Sequence, residues 1–235
     1  MAERQGPKVY SIAAHRGFAD ALVAGLVPRY ADDEFGLARL TLLVPSSRAR
    51  RTISEAFIRH AGEQGTPGLL MPRMAVVGDL DLDETLGPLL DPLGAADIPR
   101  AIEPQRRLFA LARLIADTMG DEAPGGATLL RLARETGATM DRLLVEGVGP
   151  EELVGESVLD LFGSLSDHWQ RSLHLFATVQ AKWLEQLQQW DALDAAARRN
   201  RLFDWAAARW RAAPPETPIV AAGVTSAAPS LAWLL

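Results

Sequence analysis

The stretch "LTLLVPSSRARRTISEAF" runs from Leu40 to Phe57 and decides the fold class. Its first five residues are a buried-strand run, stopped by Pro45. Ser46 or Ser47 then caps a helix whose apolar positions Ile53, Ala56 and Phe57 recur at helical spacing to about His60. Strand, tight turn and helix make half of a βαβ unit. Upstream, "VYSIAAHRGFADALVAGLVPRY" repeats the arrangement. Residues 9–13 read as a short strand, and a helix follows with Phe18, Leu22, Leu26 and Tyr30 in step and Pro28 weakening its last turn. Downstream, "PRMAVVGD" reads as a third strand ending near Gly78. Strands alternating with helices predict an α/β fold with a parallel sheet.

The pattern then changes. Residues 79–94 are acidic, leucine-rich and broken by Pro88 and Pro92, which predicts a linker. After it the strands are expected to vanish. A helix is predicted over 103–119, with Pro104 in its first turn and Leu108, Leu111, Leu114 and Ile115 inward. A breaker around Gly125 ends it, and two more helices follow over 127–146 and 151–162. Ser166 caps a long helix whose seam is Trp169, Leu173, Phe176, Trp183, Leu187 and Trp190, with Gln180 interrupting it. A last helix runs from about Leu193 to Trp210. Residues 219–222 return to strand. The expected layout is an α/β domain over 1–100 and 212–235, with an all-helical insertion over 101–211. "PIVAAGVTSAAPSLAWLL" reads as strand, loop and the start of a helix, which predicts a fragment of a longer protein.

With 48% hydrophobic and 23% charged residues among 235, a packed core is expected rather than disorder. No apolar run approaches about 18 residues, so no membrane partner is expected. No secretory signal is visible. The chain has no cysteine, which excludes disulfides, thiolate metal sites, iron–sulfur clusters and thiol catalysis within it. The net charge of −6 argues against a basic field everywhere, but not against local basic patches. Of the 24 basic residues only Lys8 and Lys182 are lysines.

That scarcity bears on the first turn, Ala13-Ala14-His15-Arg16-Gly17. A phosphate-binding loop needs two glycines and a lysine before Ser or Thr. Only Gly17 is present, Lys8 precedes the turn, and Lys182 is remote in sequence. No nucleotide site is expected there, although helix amides beside His15 and Arg16 leave anion binding open. At the second turn, Ser46, Ser47, Arg48, Arg50 and Arg51 are delivered to the C-terminal edge of the sheet, where open α/β sheets bind ligands. Hydroxyls and guanidiniums there suit a phosphate backbone, and Ser46, Ser47, Arg48 and Arg51 are the candidates for DNA contact. A capped helix with a solvated basic turn is the alternative.

The remaining signals are weaker. "GDLDLDET" fails the calcium-loop spacing, because Glu84 and Leu90 stand at the sixth and twelfth positions from Asp79. His15, His60, His168 and His174 form no metal-binding pair. "ARRNR" (197–201) is a basic cluster, read as a solvated face or a phosphate contact. No nucleophile–base motif recommends a hydrolase, and no catalytic residue is assigned.

These phrases in this order, with "EPQRRLFALARLI", "DHWQRSLHLF" and the C-terminal stretch, resemble the alphaproteobacterial AddB family, the B subunits of AddAB helicase–nucleases. The likeness covers nearly the whole chain. It implies a RecA-like, superfamily 1 helicase-like domain with a helical insertion. It puts Ala13 to Gly17 at the Walker A position and Ala221-Ala222-Gly223 at the Walker B position, with neither the lysine nor the magnesium carboxylate. It implies a cytoplasmic role in double-strand break repair and recombination, with the AddA subunit and DNA ends as partners. Cofactors are expected to be absent from this chain. The family's magnesium-dependent nuclease and its iron–sulfur cluster belong to a C-terminal domain beyond it. Two alternatives stay open: a small-molecule or nucleotide-binding α/β enzyme, and a protein-interaction scaffold built on the tryptophan-rich helices.

Overall fold

The computed structural model describes residues 8–31, 35–65, 69–78, 89–91, 94, 97–149, 152, 167–225 and 228–235. In chain order its elements are α1 (Phe18–Tyr30), α2 (Gly36–Arg39), β1 (Thr41–Val44), α3 (Ser47–Glu63), β2 (Arg73–Val76), β3 (Arg100–Ala101), α4 (Pro104–Met119), α5 (Gly126–Glu146), α6 (Asp167–Gln189), β4 (Ala192–Leu193), α7 (Ala195–Ala212), β5 (Ile219–Ala221) and α8 (Pro229–Leu234). The chain divides into two units, 1–79 with 215–225 and 80–214 with 226–235. The boundaries expected from sequence were 100/101 and 211/212.

The first unit is a small parallel sheet with helices. Its strand order is β2-β1-β5, with Leu42 opposite both Met74 and Val220. A parallel ladder needs both faces covered, and all four residues of central β1 are buried. Leu42 and Val44 join Ala19, Val23 and Leu26 of α1 and Ile53, Ala56 and Phe57 of α3 in one core. Each such large side chain contributes about 2 kcal/mol by leaving water.

Residues 9–13 do not form the expected strand. Val9 is 90% exposed and Tyr10 65%. The Tyr10 ring instead lies 4.8 Å under the Arg29 guanidinium. An interior parallel strand would need a covering layer. The buried residues of α1 are already spent on the core shared with β1 and α3.

The second unit is helical. α4 packs on α5 and α6, and α7 packs on α5 and α8. Its core gathers Leu111, Ile115, Ala133, Met140, Val179, Trp183 and Leu187. Gly137 lets α4 and α5 approach closely, since a Cβ there would lie 3.2 Å from Leu111 Cδ1. The strands do not vanish in this unit. β3 and β4 pair in parallel, Arg100 with Ala192 and Ala101 with Leu193. Two residues are too few to show a period in sequence. Gln180 does not break the seam by turning outward, for it is buried. The expected linker at 79–94 apart from 89–91 and 94, the helix at 151–162 apart from Glu152, the Ser166 cap and the Trp169 side chain lie outside the described residues. No helix among the described residues is long and apolar enough to cross a membrane.

Candidate nucleic-acid interface at the sheet edge

Parallel strands deliver their C-terminal ends to one edge. Here Val44, Val76 and Ala221 end together, and the chain leaves through Pro45, Val77 and Ala222. The exits are tight. A Cβ on Gly78 would collide with the carbonyl of Pro45. Gly223 has a left-handed φ of 71°, and its α-carbon faces the Phe18 ring, 3.2 Å from where a Cβ would stand.

The β1–α3 turn positions the expected residues. Ser46 is extended, at φ −156° and ψ 161°, and its hydroxyl accepts the N–H of Ala49 at 3.2 Å. That is the N-cap, so Ser46 rather than Ser47 holds the helix start. Ser47 and Arg48 are exposed, and so is Arg51 one turn later. These three share one face of α3, within about 100° of arc. Arg51 Nε lies 3.1 Å from Glu55 Oε1, with the two side chains 84% and 51% exposed. Such a pair is loose and exchangeable. Arg50 is half-buried and sits apart from that face.

The other turn is differently built. Arg16 N–H donates to the Ala13 carbonyl at 3.0 Å, and α1 begins at Phe18 with Gly17 as an N-cap that offers no side chain. Ala13, Ala14, His15, Arg16 and Gly17 are all exposed. Neither this turn nor Ala221-Ala222-Gly223 supplies a lysine or a carboxylate, so these residues do not fit a magnesium nucleotide. No cluster of three or more His, Asp or Glu side chains suited to a metal occurs among the described residues.

The cluster 197–201 is not the solvated basic face that its composition suggested. Arg199 is 3% exposed, Arg198 donates to the Pro99 carbonyl at 3.2 Å, and Asn200 Nδ2 donates to the Leu144 carbonyl at 2.7 Å. Arg201 alone of its polar residues is exposed. Burial pushes the Arg199 guanidinium below its usual pKa, against the opposing pull of Asp141.

The helical unit also holds a charge cluster that no sequence motif announced. Arg107 donates to Asp141 Oδ2 at 2.7 Å and to the Gly137 carbonyl at 3.2 Å. Its Nε lies 2.8 Å from Asp194 Oδ1. That N–H makes no directed hydrogen bond among the described residues, so the contact is Coulombic. Asp194 is buried, and burial raises its carboxyl above the ordinary value; Arg107 and Trp183 pull it back, and Asp141 adds to the rise. The ends of this network come from α4, α5, α6 and the start of α7, far apart in sequence.

Comparison of the chain with protein-family models, with curated proteins and with solved structures found no match.

Proposed function

We propose that this chain is an ATPase-inactive, RecA-like helicase domain of an AddB-type subunit, which guides unwound single-stranded DNA and docks on the AddA motor in the cytoplasm. The observation that carries this reading is the β1–α3 turn. Ser47, Arg48 and Arg51 share the exposed first turns of α3 at the C-terminal edge of a parallel sheet. Phosphate oxygens suit that edge, because a helix N-terminus and exposed guanidiniums stand together there. The likeness of the sequence phrases to the AddB family supports the same assignment. The chemistry of the two turns favours a DNA guide over a motor, since neither holds the groups that cradle or hydrolyse a nucleotide.

Fluorescence anisotropy of a labelled single-stranded oligonucleotide across a salt series tests it. Micromolar-range binding that weakens with salt and with Arg48→Ala/Arg51→Ala is the expected result. Absence of binding at low salt overturns the DNA-guiding role for this chain.

A further inference from the structure

The exposed stripe of α4 runs through Gln105, Arg106, Phe109, Arg113 and Asp117. Phe109 is 61% exposed, an unusual state for a phenylalanine in the middle of a 16-residue helix. Arg106 stands three residues before it and Arg113 four after, so the three residues share one helix face, with an arginine one turn to either side of Phe109. Beside the stripe, a hollow of about 650 Å³ opens between α4 and α6. Ala110 and Leu114 give it an apolar floor, and Phe109, Trp190 and Gln186 rise around it.

Trp190, at the edge of the hollow, is braced by its neighbours. The Arg106 guanidinium lies 4.0 Å over the Trp190 ring. Trp190 meets Trp183 edge to face, with centroids 6.0 Å apart. Trp183 is pinned in turn by the Asp194 carboxylate. The Trp190 side of the hollow is thus held in place before anything binds, which lowers the ordering cost of binding there.

From this arrangement we infer that the α4–α6 face is a stacking site for one or two unpaired bases of a single strand, with Arg106 and Arg113 on the flanking phosphates. The inference rests on the single-strand reading of the chain. An exposed aromatic with an arginine one turn to either side suits a base and its phosphates. A protein docking face of this size would need a wider apolar centre than Phe109 and the narrow floor provide. The Arg113–Asp117 pair, at 3.8 Å with both side chains mostly exposed, is too loose to withhold Arg113 from a phosphate.

The test uses the full chain with labelled oligothymidine and an abasic strand of equal length. The two strands share phosphates and differ in bases. Phe109→Ala is expected to weaken oligothymidine binding about tenfold and to leave the abasic strand unchanged. Arg106→Ala/Arg113→Ala is expected to weaken both. Phe109→Leu, which keeps an apolar side chain and loses the ring face, is expected to behave like Phe109→Ala, and unchanged melting temperatures establish that the variants fold. Oligothymidine binding that is equal for the wild type and Phe109→Ala overturns the inference, the outcome expected of a face used by a protein. If only Arg48→Ala/Arg51→Ala weakens binding, the sheet-edge reading stands and this one falls. If only the Phe109 and Arg106/Arg113 variants do, the sheet-edge reading falls and this one stands. If neither strand binds the wild type, both fall.

Discussion

The indole N–H of Trp183 is directed at both carboxylate oxygens of Asp194, at 3.2 and 3.0 Å. Asp194 is thereby the point where α6 is tied to the start of α7, and Arg107 of α4 reaches it from a third side. Burial raises the Asp194 carboxyl above its ordinary value of 3.8. The folded chain therefore holds that proton more tightly than the unfolded chain. This proton-linked stability is fully present below about pH 3.8 and is lost as the pH rises through the raised value. Asp194→Asn cannot titrate. The melting temperature of the wild type relative to Asp194→Asn is expected to fall as the pH is raised from the acid side. A difference that stays flat with pH, followed by circular dichroism, contradicts this assignment.

Gly78 is needed for space. A side chain there meets the Pro45 backbone carbonyl, which no rotamer change can relieve. Gly78→Ala is expected to destabilise the chain by about 2 kcal/mol or more, because either the β1 or the β2 exit must move. Urea unfolding checks it. A loss below about 0.5 kcal/mol would mean that the two exits adjust freely.

The cluster 197–201 gives a contrast within five residues. Asn200→Ala removes the side-chain donor at 2.7 Å and leaves the Leu144 carbonyl only the Gly147 N–H at 3.2 Å, which is expected to cost about 1 kcal/mol. Arg201→Ala, on the exposed side, is expected to stay within about 0.5 kcal/mol of the wild type. Neither substitution is expected to change oligonucleotide affinity, since this segment works as a packing seam. A drop in affinity for Asn200→Ala at unchanged stability contradicts that.

Arg48 and Arg51 are expected to act through charge alone. Two phosphate contacts on a single strand, at about 0.7 each, make the slope of log affinity against log salt about 1.4 shallower in Arg48→Ala/Arg51→Ala. The fold should not notice, because the Arg51–Glu55 pair is exposed and contributes at most about 0.5 kcal/mol. An unchanged salt slope removes these side chains from the phosphate path.

Much of the fold was legible because its signals are local. The apolar run before Pro45 gave β1, the serine pair 46–47 the capped start of α3, and "PRMAVV" gave β2; long periodic stretches gave α4, α5 and α6. Residues 9–13 misled because apolar composition says nothing about whether a neighbouring edge and a covering layer exist. The β3–β4 pair, the burial of Arg199 and the Arg107–Asp194 contact were illegible for a related reason. Each depends on residues brought together from distant parts of the chain. Of the candidate site, sequence reasoning narrowed the cap to Ser46 or Ser47 and put Arg48 and Arg51 in the turn after β1, where the structure has them exposed. It passed over Phe109, since an apolar residue in an amphipathic helix is read as core unless its angular position is checked against its neighbours. Phe109 lies in register with Gln105 and Arg113 on the outward stripe, and that register was the available signal.

The central strand has one consequence for synthesis. β1 takes one neighbour from β2, about thirty residues on, but the other is β5, which leaves the ribosome about 175 residues later. At ordinary elongation rates the gap is on the order of 10 to 35 seconds. Throughout it, a strand of sequence Thr-Leu-Leu-Val presents unpaired amides and carbonyls along one side. The nascent chain is therefore most vulnerable to mispairing while the helical unit is still being made, and a chaperone that shields strand edges would matter most in that interval.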